Sequence, residues 1–151
     1  MIDLRQADLN DAAELARIEV DSCRAFDKIF TPAYMASHNT FENRFLYWMN
    51  LLTRDVDRTY LIVADGAAVG FVTLGYPRDE DAPAGTLQLI NLYLRTSAIG
   101  KGYGAYVMRR LFTSVKTAGY DRLLLWVLKD NDRAIAFYRH FGFDFDGLEI
   151  T

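Results

Sequence analysis

Cysteine is almost absent from this chain. Cys23 is the only one in 151 residues, so no internal disulfide can form, and a reducing cytoplasm is the expected compartment. Histidine is nearly as scarce. His38 and His140 beside one cysteine do not make a structural zinc set, so no metal is expected, and nothing in the sequence pairs them as a Cys-His nucleophile. No apolar run approaches the roughly 20 residues that span a bilayer, and Met1-Ile2-Asp3-Leu4-Arg5 lacks the apolar stretch of a signal peptide; no membrane partner is expected. Runs of Lys and Arg are missing too, and the formal net charge is −3. That argues against nucleic acid as a partner, because phosphate binding shows as clustered positive charge.

What is present suits a packed core. Hydrophobic residues make up 51% and charged residues 25%, which excludes disorder, and the length fits one domain over residues 1–151. Ile2 to Arg5 alternates as a short strand. Asp8 or Asn10 can cap a helix with the stripe Ala12, Leu15, Ala16 and Ile18. Pro32 breaks the chain before a second helical segment, Phe41 to Leu52. Tyr60–Ala64 and Ala68–Tyr76 are β-prone, and Asp65-Gly66 between them signals a hairpin. Thr86 to Leu94 completes an antiparallel meander. A helix follows with Val107, Leu111, Phe112 and Val115 on one side, ended by Gly119 as a left-handed cap. Leu123 to Leu128 reads as a strand covered on both faces. Asn131 then caps a last helix with Ala134, Ile135, Tyr138 and Phe141 inward and Gly142 closing it. The order predicts a mixed α/β (α+β) domain.

Gly100-Lys101-Gly102-Tyr103-Gly104 sits between a strand and a helix. Glycine admits positive φ and close approach of a ligand to the backbone. A helix N-terminus offers unpartnered N–H groups and a favourable dipole, so the loop suits a phosphate or pyrophosphate; the plain alternative is a flexible turn. A P-loop needs Gly-Lys followed by Ser or Thr, and fails here. Gly100-x-Gly102-x-x-Ala105, with Asp121 downstream, matches a dinucleotide fingerprint. That fold begins its parallel sheet at the motif, however, and only about 30 residues follow Asp121; the preceding meander also has no role in it.

With these residues in place, the chain resembles the GNAT acyltransferase superfamily over nearly its whole length. The stretch from Asn91-Leu92-Tyr93-Leu94 to Gly104 is similar to that family's fourth strand and pyrophosphate loop, usually Gln/Arg-x-x-Gly-x-Gly/Ala. Both glycines of the pattern match, and Ile99 replaces the Gln/Arg. Asn131-Asp132-Arg133-Ala134-Ile135-Ala136-Phe137-Tyr138, ending in Phe141-Gly142-Phe143, resembles the second signature. Arg5-Gln6-Ala7-Asp8, and Phe30 to Met35 leading to Trp48, look more loosely like the family's substrate side.

The resemblance implies a largely antiparallel central sheet flanked by helices, and an acetyl-CoA-dependent N-acetyltransferase acting on a primary amine of a small molecule or protein. Acetyl-CoA would bind through Leu92, Tyr93 and Leu94, paired with its pantetheine arm, through Ile99, Gly100, Lys101, Gly102, Tyr103 and Gly104, and through Asn131, Arg133 and Tyr138. A backbone N–H near Leu92 would stabilise the thioester oxygen, and Tyr138 would donate a proton to the departing thiolate. Asn131 is equally a helix cap and Leu92 and Leu94 equally a core strand. The family's base is in places a glutamate on the fourth strand, where this chain has Gln88 and Asn91. Waters, Glu42, Asp27 or His38 are left for proton removal. Tyr34, Phe45, Tyr47 and Trp48 are expected in the core rather than lining an acceptor pocket, and Asp79-Glu80-Asp81 is expected to be a solvated turn. Only Asp144 to Thr151 follow Phe143, so one short strand fits, and an exposed sheet edge implies a homodimer. A non-catalytic acyl-CoA sensor or interaction module is the second class of function.

Overall fold

A computed structural model describes residues 2–23, 33, 39–54, 57–77, 83–127 and 131–144. The elements in chain order are β1 (Ile2–Gln6), α1 (Ala12–Cys23), α2 (Phe41–Arg54), β2 (Arg58–Ala64), β3 (Ala67–Gly75), β4 (Thr86–Leu94), α3 (Tyr103–Thr117), β5 (Arg122–Leu125) and α4 (Asp132–His140). The five strands form one sheet in the order β1-β2-β3-β4-β5, antiparallel except for the parallel pair β4–β5.

Local chemistry explains most of the boundaries. Asp8 starts a 3-10 turn, Leu9–Asp11, by accepting the Asn10 N–H at 2.9 Å, while Asp11 accepts the Asp8 N–H, and α1 continues from that box. Asp65 and Gly66 take φ of 51° and 83°, the left-handed pair that a tight hairpin between β2 and β3 requires. Gly119 (φ 93°) and Gly142 (φ 94°) end α3 and α4. In each case the two N–H groups after the cap bond back into the last turn, Gly119 to Lys116 and Tyr120 to Val115, Gly142 to Arg139 and Phe143 to Tyr138.

Strand alternation divides the core into two layers. Leu61 and Phe71 face α1 and α2, where Ala12, Leu15, Ala16, Ile18 and Trp48 are also buried. Ile62, Val72 and Leu89 face the other way, onto Val107, Met108 and Leu111 of α3. Trp48 is fully buried, edge-on to Phe71 at 5.0 Å, and its indole N–H donates to Glu19 at 2.9 Å, so α2 is keyed to both α1 and the sheet. Phe45 packs on the same layer, as expected.

Four expectations are corrected. Tyr47 lies outside the core at 40% exposure, with the Arg44 guanidinium 4.2 Å from its ring, because it falls one residue off the stripe that buries Trp48. Phe112 is also exposed, and Met108 takes the inward place expected for it. Phe137 joins the inward side of α4. The strand read as Leu123–Leu128 runs Arg122–Leu125 and is half-buried, since among the described residues only β4 pairs with it. Tyr34, Asp79-Glu80-Asp81 and the C-terminal strand lie outside the described residues.

Gly70 in β3 tests how tightly β3 and β4 approach. A Cβ there would come within 2.3 Å of the Tyr93 carbonyl, which is backbone and cannot swing away. Gly70→Ala is expected to destabilise the protein by about 1–3 kcal/mol, read as a lower urea midpoint with an unchanged m-value.

Candidate active site

The ladder between β4 and β5 is short. It joins Thr86–Leu89 to Arg122–Leu125 and stops there. At that point β4 carries an extra residue, since Leu74 pairs with Leu89 and Thr73 with Asn91, leaving Ile90 unmatched. Such a bulge bends and twists the strand that bears it, and β4 continues to Leu94 along β3 with no partner on its other side among the described residues.

Backbone alternation shows what faces that gap. The Arg95 N–H donates to the Val69 carbonyl at 2.8 Å. Odd-numbered residues of this stretch therefore turn their amide groups to β3, and Leu92 and Leu94 turn theirs away. The Leu94 carbonyl is taken by the Ser22 hydroxyl at 2.8 Å. Among the described residues, the N–H and carbonyl of Leu92 and the N–H of Leu94 are left along the open edge, a template for an extended ligand. The leucine side chains pack on the α3 side, while Tyr93 lies across the sheet, edge-on to Phe71 at 5.4 Å.

Downstream of β4, a 3-10 turn (Thr96–Ala98) leads to the glycines. Gly100 and Gly102 have φ of 83° and 84°, and a Cβ on either would meet nothing within 4 Å. Conformation and not crowding demands glycine at both, and the space before the loop is open. Gly104 differs: it lies inside α3, where a Cβ would come 3.2 Å from the Phe137 ring, so it lets α4 close on α3. The first bond of α3 runs from the Tyr106 N–H to the Gly102 carbonyl at 3.1 Å. The amides of Tyr103, Gly104 and Ala105 precede it and point out of the helix with its positive end. Lys101 is exposed beside them, and Ile99 and Tyr103 are half-buried.

The remaining candidates come from α4. The Asn131 side-chain carbonyl accepts the Ala134 N–H at 3.3 Å, so the cap is realised and the carboxamide NH2 is left to donate elsewhere. Arg133 is exposed on the first turn. Tyr138 stands edge-on to Phe137 at 5.2 Å and Phe143 at 5.7 Å, and it packs on the same buried cluster as Leu92 and Leu94. Burial pushes its phenol up to about 12, so it holds its proton at any ordinary pH. The fold thus brings the open edge of β4, the glycine turn and the Tyr138 helix onto one side of the sheet.

Glu42 is not part of this grouping; it is exposed on the first turn of α2. Asp27 and His38 lie outside the described residues. Two features escaped the sequence reading. The Ile90 bulge has no compositional signal, whereas the Phe137 contact was open to recognition from the helical spacing of Ala134, Phe137, Tyr138 and Phe141.

A model of the acetyltransferase (GNAT) family matches residues 23–143. An uncharacterized N-acetyltransferase of Archaeoglobus fulgidus is 28% identical over 140 residues, which is 91% of this chain and 89% of the relative. Among solved structures, the PaiA N-acetyltransferase from Thermoplasma acidophilum in complex with coenzyme A superposes with a TM-score of 0.78 at 19% identity, covering 99% of this chain and 93% of that one. The ribosomal-protein-alanine N-acetyltransferase from Brucella melitensis biovar Abortus 2308 gives 0.73 at 19% identity, covering 100% and 98%.

The raised Tyr138 pKa has a direct signature. Ultraviolet titration of tyrosinate should show one group ionising near 12 that Tyr138→Phe removes, with the other ionisations unmoved. The folded chain holds this proton to higher pH than the unfolded chain does. Its share of the stability is therefore whole below the ordinary tyrosine value of 10.0 and is lost as pH rises towards 12.

Proposed function

The chain belongs to the GNAT acetyltransferase family, and on that premise we propose that it transfers an acetyl group from acetyl-CoA to a primary amine by direct attack on the thioester. The observation that carries this reading is the gap opened by the Ile90 bulge directly ahead of the Gly100–Gly102 turn. An extended arm fits the open edge of β4 and a diphosphate fits the turn, in the order in which coenzyme A presents them. The solved Thermoplasma relative, named as a complex with coenzyme A, supports that choice of ligand.

Acetyl-CoA supplies the activated acyl carbon and a thiolate leaving group; the chain supplies positions and protons. The amides at the start of α3, with Gly100 and Gly102, cradle the diphosphate, and Ile99 and Lys101 flank it. Leu92 and Leu94 pair with the arm through backbone groups, with Tyr93 between them turned into the core. The Leu92 N–H points into the gap, where it faces the charge that grows on the thioester oxygen. The Asn131 carboxamide and Arg133 contact the cofactor from α4. Tyr138 gives its proton to the departing sulfur. A phenol held near 12 is a weaker acid than usual, and it stays loaded until the thiolate forms.

A cytoplasmic homodimer is the setting we propose. Among the described residues nothing pairs with the outer edge of β5, and a second subunit would cover it.

Thiol release with acetyl-CoA and a panel of amines tests the reading. Tyr138→Phe should lower kcat by about 100–10,000-fold, the range of general acid catalysis, with the Kd for acetyl-CoA unchanged. Gly102→Val should instead abolish acetyl-CoA binding, because a β-branched residue at φ 84° cannot keep the turn. Unchanged kcat in Tyr138→Phe removes that residue from the mechanism. Binding without thiol release for any acceptor favours a sensor module.

A further inference from the structure

α3 is too short to cover its whole face of the sheet. It ends at Thr117, and Gly119 turns the chain back towards β5. Tyr60 of β2, Leu74 of β3 and Leu89 of β4 pack on the α3 side, so alternation puts Arg58, Tyr76 and Leu87 on that side as well. The ends of these strands stand clear of the helix: Tyr76 is 65% exposed, and Arg58 is exposed beside it. A groove of about 470 Å³ lies between them and the last turn of α3, a size that suits a small ligand.

The chemistry of the groove is uneven. Leu74, Leu87, Val115 and Ala118 supply apolar surface, and Tyr60, Tyr76 and Tyr120 supply aromatic rings. A hydrogen bond between the Tyr76 and Tyr120 side chains raises the Tyr120 phenol above its ordinary value, so these two rings are tied together. Arg58 is the one charged residue in the lining, and among the described residues it has no ion pair. The neighbouring carboxylates turn elsewhere. Asp57 lies on the opposite face, against Gly75 and Ile90, while Asp121 lies beside Gly85 and lines a separate groove with Phe141 and Phe143.

We propose that this groove is a second binding site, for a small aromatic monocarboxylate whose carboxylate pairs with Arg58 and whose ring lies on Leu74 and Leu87 among the tyrosines. A guanidinium presents paired donors that match a carboxylate. The nearby C-terminus of α3 is the negative end of a helix, and its Ser114, Val115 and Lys116 carbonyls are taken by the N–H groups of Ala118, Tyr120 and Gly119. One cation beside that end suits a single negative charge better than a phosphate dianion. Rings gain from edge-on and offset contacts with other rings, which an aliphatic acid would forgo. The site is also distant from the acetyl-CoA gap. The 15 residues of α3, at about 1.5 Å each, put roughly 20 Å between the glycine turn and the groove. The proposal therefore stands apart from the transferase reading.

The test titrates the full chain with phenylacetate, followed by calorimetry and ligand-observed NMR. One equivalent should bind with a Kd below about 1 mM, a modest affinity within reach of a ligand of this size. Phenylacetamide lacks the charge, acetate lacks the ring, and 2-phenylethylamine reverses the charge; each should bind at least tenfold more weakly. Saturating acetyl-CoA should leave the phenylacetate affinity unchanged. Arg58→Gln should weaken phenylacetate at least tenfold. Ala118 is exposed with φ −76°, a conformation any residue adopts, so Ala118→Trp should fill the groove and abolish binding. Both variants should keep the wild-type circular dichroism. Absence of phenylacetate binding, equal binding of the amide or the amine, displacement by acetyl-CoA, or undiminished binding in folded Arg58→Gln would overturn the proposal. The comparison of probes is made on the wild-type chain, so it decides the matter even where a variant fails to fold.

Discussion

One extra residue in β4 sets the geometry of this protein. With Ile90 unmatched, the strand keeps its ladder to β3 as far as Leu94 and gives up its ladder to β5 after Leu89. Without the bulge the alternation would continue unbroken, and the Leu92 amide would turn to β3 instead of the gap. The bulge also sets both Ile90 and Asn91 on the α1 and α2 side, since Leu89 and Leu92 both pack towards α3. A single irregularity therefore opens a backbone edge and turns a polar side chain towards one wall of it.

An edge of this kind needs support, because a strand paired on one side only is free to bend further. α1 provides that support. Ser22 holds the Leu94 carbonyl at 2.8 Å, and Asp21 accepts the Thr96 N–H at 2.7 Å. Arg95 reaches both the Ala68 carbonyl, at 3.0 Å, and the Glu14 carboxylate. Each bond is modest, about 0.5–1.5 kcal/mol for a neutral pair and more where charge is involved, but together they fix the direction in which the chain enters the glycine turn. α1 in turn is held to α2 by the Glu19 carboxylate, which takes N–H bonds from both Arg44 and Trp48. The turn is thus positioned from the helix layer on the opposite face of the sheet.

The sequence disclosed whatever depends on local chemistry. Asp8, Gly119, Asn131 and Gly142 act where short-range rules place them, and the Thr86–Leu94 strand has the bounds its composition suggests. Gly100 and Gly102 were legible because only glycine sits comfortably at φ near 84°. Gly104 was legible as a glycine but not for its reason, which is a Phe137 ring more than thirty residues away. Tyr47 and Phe112 were misplaced because an apolar stripe gives the helix face without the rotation of its edge, and aromatic rings at that edge remain half in solvent. The bulge was illegible in kind, since register is a relation between strands and no residue type marks it.

Tyr138 and the cross-strand row Thr59, Thr73 and Asn91 on the other face of the sheet share one property: each is neutral before reaction. Tyr138 is kept protonated by burial. The two threonine hydroxyls bond to each other at 3.0 Å. Charge then develops as the C–N bond forms and the C–S bond breaks, and the groups waiting for it are backbone dipoles already fixed in direction by β3 and α1. Dipoles held in place before the charge develops need no reorganisation when it does. A carboxylate beside Leu92 would help to deprotonate a more basic amine, but it would also set a negative charge next to the oxygen that becomes negative. An uncharged β4 avoids that conflict.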